Sequence, residues 1–174
     1  MGVFIRRAKI SDCKTIGFIH VESCKAAYKG IIPDSVLNSV SAKRMADYYY
    51  RVLVKKAQDV VLIFKDDKPA GYMSLIEYRN KNNNYSAMQV YRIYLLPSYR
   101  HQGLGTELIN WGIKEAKDKG HSKLFLWVIK ENLSARKFYE KLGLRYDGTA
   151  RRINNGKMLT IYRYVMHLDG NKFR

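Results

Sequence analysis

IYLLPSYRHQGLG, residues 93–105, connects a run typical of a β-strand to a run typical of an α-helix. Pro97 ends the strand-like part, and Gly103 and Gly105 precede the helix-like part. A helix that starts at such a corner presents backbone N–H groups without intrahelical partners and the positive end of its dipole, which suits phosphate. The segment therefore predicts an anion-binding corner. A glycine turn that merely reverses the chain is the alternative.

The spacing of these glycines excludes two common phosphate-binding motifs. The corner lacks the GxxxxGK[ST] of a P-loop, and Leu108 stands where the third glycine of a GxGxxG dinucleotide fingerprint would be. Arg100 and His101 add side chains that can carry positive charge. The remaining hypothesis is a diphosphate that approaches backbone amides left uncovered by glycine.

Strand and helix patterns precede the corner. VFIRRA predicts a first strand, and SDCKTIGFIHVESCKAAY predicts a helix with Ser11 and Asp12 as possible caps. One or two helices fit the stretch after Pro33. Apolar, β-branched runs on either side of KDDK predict an antiparallel hairpin, which an Asn-rich loop at 80–86 separates from the strand MQVYRIYLLP.

Helix and strand patterns also follow the corner. KLFLWVIK is a near-continuous apolar strand, and its return from the preceding helix implies a parallel crossover. NLSARKFYEKLGL predicts a helix that ends at Gly143. Near the C-terminus, two strands should flank the Asn-Gly step of INNGK as a tight hairpin. These patterns predict an α/β (or α+β) fold.

Composition limits the class of protein. The 174 residues suit a single domain over 1–174 with an ordinary core. The apolar runs are shorter than a membrane-spanning helix, and the start of the chain lacks a signal-peptide pattern, so we expect a soluble, cytoplasmic protein that does not engage membranes. Its two cysteines cannot pair within one helix. The four histidines are scattered, so no metal site is expected.

The net charge of +17 favours anionic partners such as nucleic acid, acidic proteins or a phosphorylated cofactor. The lysines and arginines form no block, so a solvated basic surface explains them equally well. No recognition-helix or RNA-platform motif is present in the sequence. Nucleic acid is therefore a possible partner supported by charge alone.

IYLLPSYRHQGLG, followed about thirty residues later by ENLSARKFYEKLGL, resembles the two signatures of the GCN5-related N-acetyltransferase family, whose members move an acetyl group from acetyl-CoA to an amine. Arg100, Gly103 and Gly105 match the first signature. The residues that match the second are Asn132, Ala135, Phe138, Tyr139 and Gly143. The resemblance implies a twisted mixed sheet of about seven strands with helices on both faces, and a fourth and fifth strand splayed around CoA.

The resemblance also implies how the chain would hold acetyl-CoA. The backbone of Ile93, Tyr94 and Leu95 would bind the pantetheine arm as an added strand. Arg100 would contribute charge, and Asn132 would bond to the pantetheine, unless it only leads into the last helix. The diphosphate would lie on the residues of the corner, which are His101, Gln102, Gly103, Leu104, Gly105 and Thr106.

Three residues are candidates for the chemistry. By resemblance Tyr139 would be the proton donor, although its helical spacing also suits a core tyrosine. Many relatives carry a glutamate on the fourth strand where this chain has Gln89, which cannot take a proton. Glu77, on the preceding strand, is the nearest replacement and could equally be a surface carboxylate.

Without an assured base, the acceptor must supply its own neutral amine. Low-pKa amines, such as peptide N-termini or amino sugars, fit this better than lysines or polyamines do, and the net charge also disfavours polycations. A small molecule or a peptide is the expected partner. A longer acyl group and a module that binds CoA or nucleic acid without turnover stay open. The run YYY at 48–50 could line the core, the pocket or a homodimer contact.

Overall fold

A single mixed sheet of seven strands forms the centre of the molecule, for which the computed structural model describes residues 2–80 and 85–168. Its order is β1-β2-β3-β4-β5-β7-β6. The strands are β1 (Val3–Arg7), β2 (Asp59–Lys65), β3 (Lys68–Asn80), β4 (Tyr85–Leu95), β5 (Lys123–Ile129), β6 (Arg145–Asn154) and β7 (Met158–His167). Only β4 and β5 are parallel neighbours among these strands.

Helices pack on both faces of this sheet, as predicted. They are α1 (Cys13–Tyr28), α2 (Asp34–Ser39), α3 (Ala42–Val54), α4 (Leu104–Asp118) and α5 (Leu133–Lys141). On β2, Leu62 packs beneath α1 and α3, whereas its neighbour Val61 packs beneath α4 and α5. This alternation follows from the two-residue period of a strand and gives each face its own apolar core.

Most elements lie where the sequence predicts them, but the start of α1 differs. Asp12 precedes the helix without capping it through its side chain, because its carboxylate accepts two hydrogen bonds from Arg6, at 2.7 and 2.9 Å. The predicted Asn-rich loop falls largely on residues 81–84, outside the described part of the chain. Within that part, no helix combines the length and the apolar character needed to cross a membrane.

Gly17 lets α1 and α3 approach closely. A Cβ atom at residue 17 would lie 2.3 Å from the carbonyl oxygen of Ala42 and 3.1 Å from the nitrogen of Ala46. We expect Gly17→Ala to lower the free energy of unfolding by about 1–3 kcal/mol, despite the higher helix propensity of alanine, because the helices must separate. Urea unfolding measures this. Lys14→Ala, at an exposed position of the same helix, is the control, and equal stability of both variants would contradict the expectation.

Candidate active site

A gap opens in the sheet between β4 and β5. β4 pairs with β5 only from Ala87 to Val90. Beyond Val90 it continues to Leu95 beside β3 alone, so the edge that faces β5 carries backbone groups without a strand partner. The predicted separation of the fourth and fifth strands is therefore confirmed.

A β-bulge lies where the gap begins. Leu75 of β3 pairs with Val90, and Ser74 pairs with Arg92, so that Tyr91 has no partner on β3. A bulge of this kind inserts one residue and re-aims the side chains that follow it. Val90 and Ile93, three residues apart, consequently both pack beneath α4. Arg92, which lies between these two residues, faces α1 and α3 on the other side of the sheet.

The corner before α4 exposes a row of amides. His101 and Gly103 have φ angles of 60° and 81°, and Gly103 is the residue that precedes the helix. The backbone N–H groups of residues 101–105 donate to no acceptor within the described ranges. The amide of Thr106 differs, because it bonds to the Gly103 carbonyl at 2.9 Å. The first helical turn therefore offers an anion a positively polarised surface.

Gly105 joins this corner to α5. A Cβ atom there would lie 3.0 Å from the Phe138 ring and 3.6 Å from the Leu95 side chain. The corner thus sits at the end of β4 and directly against the helix that carries Tyr139. Leu104, between the glycines, is 1% exposed, so its side chain anchors the corner in the core and only its backbone can face a ligand.

Two polar side chains of the corner are already engaged. The Arg100 guanidinium donates to the Ser23 carbonyl of α1 at 3.1 Å. Gln102 donates to the Ser98 carbonyl at 2.8 Å and accepts from Lys65 at the end of β2. Lys65 is a cation beside the corner that sequence reasoning missed, since only the folded sheet brings β2 there.

Tyr139 and Tyr28 lie on opposite faces of the sheet beside the gap. Tyr139 belongs to the core beneath α4, whereas Tyr28, on the last turn of α1, packs with Ile129 and Tyr94 on the opposite side. Burial, with a smaller contribution from Tyr28, raises the pKa of the Tyr139 hydroxyl well above its ordinary value. Tyr139 packs beside Phe138, whose ring lies against Gly105 of the corner, so Tyr139 lies on the α5 side of the gap.

The structure places Asn132 at the start of α5 as its N-cap. Its side-chain oxygen accepts a hydrogen bond from the Ala135 amide at 3.2 Å, and so provides an acceptor for one of the first amides of the helix, which have no partner within it. Asn132 follows Ile129, the last residue of β5, at the far side of the gap. The amide nitrogen of this side chain has no bonding partner among the described residues and is available to a ligand.

Neither Gln89, at the position of the family's glutamate, nor Glu77, the candidate base, joins Tyr139. Gln89 is buried before the gap begins, where it pairs with Ile76 and Phe125. Glu77 pairs with Met88 and accepts from Lys119 at 2.6 Å, just after α4 ends. That helix is about 22 Å long by its rise per residue, so Glu77 lies far from the corner. The Lys119 ammonium also holds the pKa of the Glu77 carboxyl below its ordinary value, which makes it a weak base.

A polar cluster faces the helices α1 and α3 beside the gap. We call it the tyrosine cluster, and its members are His20, Tyr28, Tyr49, Tyr72 and Tyr94. The hydroxyl of Tyr49 donates to that of Tyr72 at 3.2 Å, and Tyr72 lies 2.7 Å from Nδ1 of His20. Of the run at 48–50, Tyr49 is a core residue that belongs to this cluster, Tyr48 is half-buried and Tyr50 is exposed.

His20 should make stability depend on pH. Burial, aided by the charge of Arg92, lowers the pKa of His20 to about 4. Because the unfolded imidazole binds a proton near 6.5, the folded state loses about 3 kcal/mol relative to the unfolded state as the pH falls from 7 to 4. Urea unfolding of the wild type and of His20→Gln, which cannot titrate there, should show the smaller loss in the variant. Equal losses would contradict a buried neutral His20.

Comparison with known proteins identifies similar sequences. The profile of the Acetyltransferase (GNAT) family matches residues 25–144, which include the gap, the corner and Tyr139. The uncharacterized N-acetyltransferase YuaI of Bacillus subtilis is 34% identical over 134 residues, 76% of this chain and 75% of the relative. A spermidine N(1)-acetyltransferase of Thermoplasma acidophilum is 27% identical over 154 residues, 86% of this chain and 92% of the relative.

A solved structure shares the fold. It is that of the PaiA N-acetyltransferase from Thermoplasma acidophilum in complex with coenzyme A, which superposes with a TM-score of 0.74 at 24% identity. The match covers 93% of this chain and 98% of the other. The overall fold of this chain is therefore one that a coenzyme A complex also shows.

Proposed function

The chain belongs to the Acetyltransferase (GNAT) family, and we propose that it transfers an acetyl group from acetyl-CoA to a primary amine of a small molecule or of a peptide N-terminus. Membership makes it an acyl-CoA-dependent N-acetyltransferase, because its relatives are N-acetyltransferases along most of their length. The amine and the roles of individual residues are the parts we propose.

The observation that carries the proposal is the row of unpartnered amides at 101–105 beside the gap. A diphosphate on these amides would be held by the first turn of α4. The free edge of Ile93, Tyr94 and Leu95 would then bond to the amide groups of the pantetheine arm. Such an arm would run toward Tyr139, while Asn132 could bond to it from the far side of the gap.

The residues around the gap divide the chemistry between them. Acetyl-CoA, when bound, supplies a thioester whose carbonyl carbon a neutral amine would attack, so that a C–N bond forms, the C–S bond breaks and the sulfur leaves as a thiolate. The proton that the nitrogen loses would pass to solvent, which would reprotonate the thiolate. In this proposal Tyr139 would donate a hydrogen bond to that sulfur. Its raised pKa keeps it protonated, but full transfer of its proton to a thiolate with a pKa near 8.5 would be uphill. Tyr139 therefore stabilises the departing sulfur chiefly as a hydrogen-bond donor.

Because neither Gln89 nor Glu77 provides a general base near Tyr139, the amine of the acceptor must already be neutral when it binds. Gln89 has no basic group, and Glu77 lies at the other end of α4. Holding amine and thioester together contributes about 7–11 kcal/mol, whereas one general base adds roughly 10²- to 10⁴-fold in rate. An α-amine of pKa near 8 is about a tenth neutral at pH 7, while a lysine amine is almost wholly charged. Low-pKa amines are therefore the proposed acceptors.

Two measurements test this function. Acetyl-CoA at 100 times its dissociation constant should stabilise the protein by about 2.7 kcal/mol, visible as a higher Tm. Thiol release from acetyl-CoA should then depend on added amine and rise with the neutral fraction of that amine. Binding without thiol release for any amine would favour the alternative, a module that only binds CoA. Affinity for DNA that falls steeply with salt, without turnover, would favour a nucleic-acid-binding module.

A further inference from the structure

Arg92 is a cation beside the gap, on the face of the sheet that packs beneath α1 and α3. The chemistry proposed above does not use it. It is half-buried and faces α1 and α3 from the far side of the bulge. Its guanidinium lies over three aromatic rings, at 4.9 Å from the centroid of Tyr48, 4.9 Å from that of Tyr91 and 5.9 Å from that of Tyr49. Such contacts stabilise a cation but leave its N–H groups free to bond elsewhere.

Most of those N–H groups lack an acceptor within the described ranges. Nη1 of Arg92 lies 3.4 Å from the Tyr49 hydroxyl, and no carboxylate of the described residues forms an ion pair with the guanidinium. The cross-strand partner of Arg92 is Ser74, which is 0% exposed and whose Oγ has no bonding partner among the described residues. A guanidinium and a hydroxyl, both short of partners, thus lie side by side in a chain of the GNAT family.

The free-energy cost of desolvating the Arg92 guanidinium indicates that a ligand binds to it. A partly buried cation with one long hydrogen bond and no counter-ion loses hydration that an anion or further hydrogen bonds would restore. A carboxylate fits the planar fork of arginine with two parallel hydrogen bonds. We propose that Arg92 binds a carboxylate of the acceptor, with Ser74 as an additional donor, so that the acceptors are short peptides with a free carboxylate. This inference rests on the proposed function.

The position of Arg92 suits that role. Arg92 and Tyr94 share one face of β4, so their Cα atoms lie about 7 Å apart along the strand. Burial raises the pKa of the Tyr28 hydroxyl, and both a bond to Tyr94 and the charge of Arg92 oppose that rise. Because Tyr94 packs with Tyr28 and with Ile129, the last residue of β5, at the gap, a carboxylate on Arg92 would hold an amine near the reacting thioester.

The tyrosine cluster holds Arg92 in place. Tyr49 bonds to Tyr72, and Tyr72 bonds to His20, which stays neutral at physiological pH because its pKa is lowered to about 4. No further positive charge therefore competes for the ligand within this cluster, and no negative charge attracts a polyamine. The Thermoplasma relative is named for spermidine, but a pocket with a positive Arg92 should disfavour so cationic a molecule.

The test compares acceptors that differ only in the carboxylate. Di- and tripeptides with free carboxylates are paired with their C-terminal amides, whose α-amines have nearly the same pKa, and spermidine is added. Thiol release gives kcat/KM for the wild type, Arg92→Gln, Arg92→Lys and the control Arg51→Gln, which removes an exposed charge from α3. The wild type and the control should prefer each acid over its amide by about 10- to 100-fold, because charged hydrogen bonds of that strength are lost with the amide.

Arg92→Gln should abolish this preference, and Arg92→Lys, which keeps the charge but not the fork, should retain part of it. Equal kcat/KM for acids and amides in the wild type, a preference for spermidine, or an intact preference in Arg92→Gln would each overturn the proposal. Calorimetry of the same pairs on CoA-saturated protein separates the two hypotheses. Arg92-dependent binding of the acids without turnover would refute the transferase proposal and support carboxylate binding by Arg92. Turnover without a preference for the acids would support the transferase proposal and refute carboxylate binding by Arg92.

Discussion

Tyr139→Phe is expected to lower kcat by about 10²-fold while the KM for acetyl-CoA stays close to that of the wild type. Its ring is packed in the core beneath α4, and we propose that its hydroxyl faces the gap from α5. Removing the oxygen keeps that packing, so the loss should fall on the departing sulfur rather than on binding. A single preorganised donor of this kind is worth roughly 3–4 kcal/mol. Steady-state thiol release at saturating acetyl-CoA measures the effect.

Tyr50→Phe is the matched control for this prediction. Tyr50 is 52% exposed on α3 and has no part in the gap, so its kcat should equal that of the wild type. The raised pKa of Tyr139 also predicts that its ionisation does not shape the pH profile between 6 and 9. Any rise in rate over that range should follow the neutral fraction of the acceptor, in the wild type and in Tyr139→Phe alike. An unchanged kcat in Tyr139→Phe would remove this residue from the chemistry.

The corner was predictable from sequence because its residues act locally. Gly103 tolerates a φ of 81° that other residues adopt at a cost, and α4 begins directly after it. The apolar run of β5 and the Asn-Gly turn between β6 and β7 are local signals of the same kind. Each element could therefore be placed without knowledge of its distant partners.

The positions of the side chains around Arg92 depend on the pairing of strands that are distant in sequence. Arg92 stands out in the sequence as a charge within an apolar strand, but the face it occupies follows from the bulge at Tyr91, which exists only when β4 pairs with β3. Glu77 shows that a residue close to the site in sequence can lie far from it in the fold. It precedes β4 closely in sequence, yet the antiparallel pairing of β3 carries it to Met88, away from the gap. Asp12 likewise suits a helix cap until Arg6 engages it.

Gly103→Ala is expected to weaken acetyl-CoA binding by about 10- to 100-fold, and Gly120→Ala, its matched control, should leave that affinity unchanged. Both glycines have φ above 70°, and a Cβ atom at either would meet none of the described residues within 4 Å. They flank opposite ends of α4. Each alanine should therefore cost a similar 1–2 kcal/mol of stability, about the penalty of a left-handed residue. Only the methyl group at residue 103 would stand among the amides proposed to hold the diphosphate.

A truncated cofactor separates this effect from general damage to the fold. S-acetylpantetheine carries the thioester and the arm but no diphosphate, so it should bind the wild type about 10²- to 10³-fold more weakly than acetyl-CoA, which reflects two or more lost charge-assisted hydrogen bonds. Gly103→Ala should bind it as the wild type does. Calorimetry of both ligands on both glycine variants measures this. A Gly103→Ala protein that loses affinity for S-acetylpantetheine as strongly as for acetyl-CoA would show that the corner shapes the gap as a whole rather than binding the diphosphate.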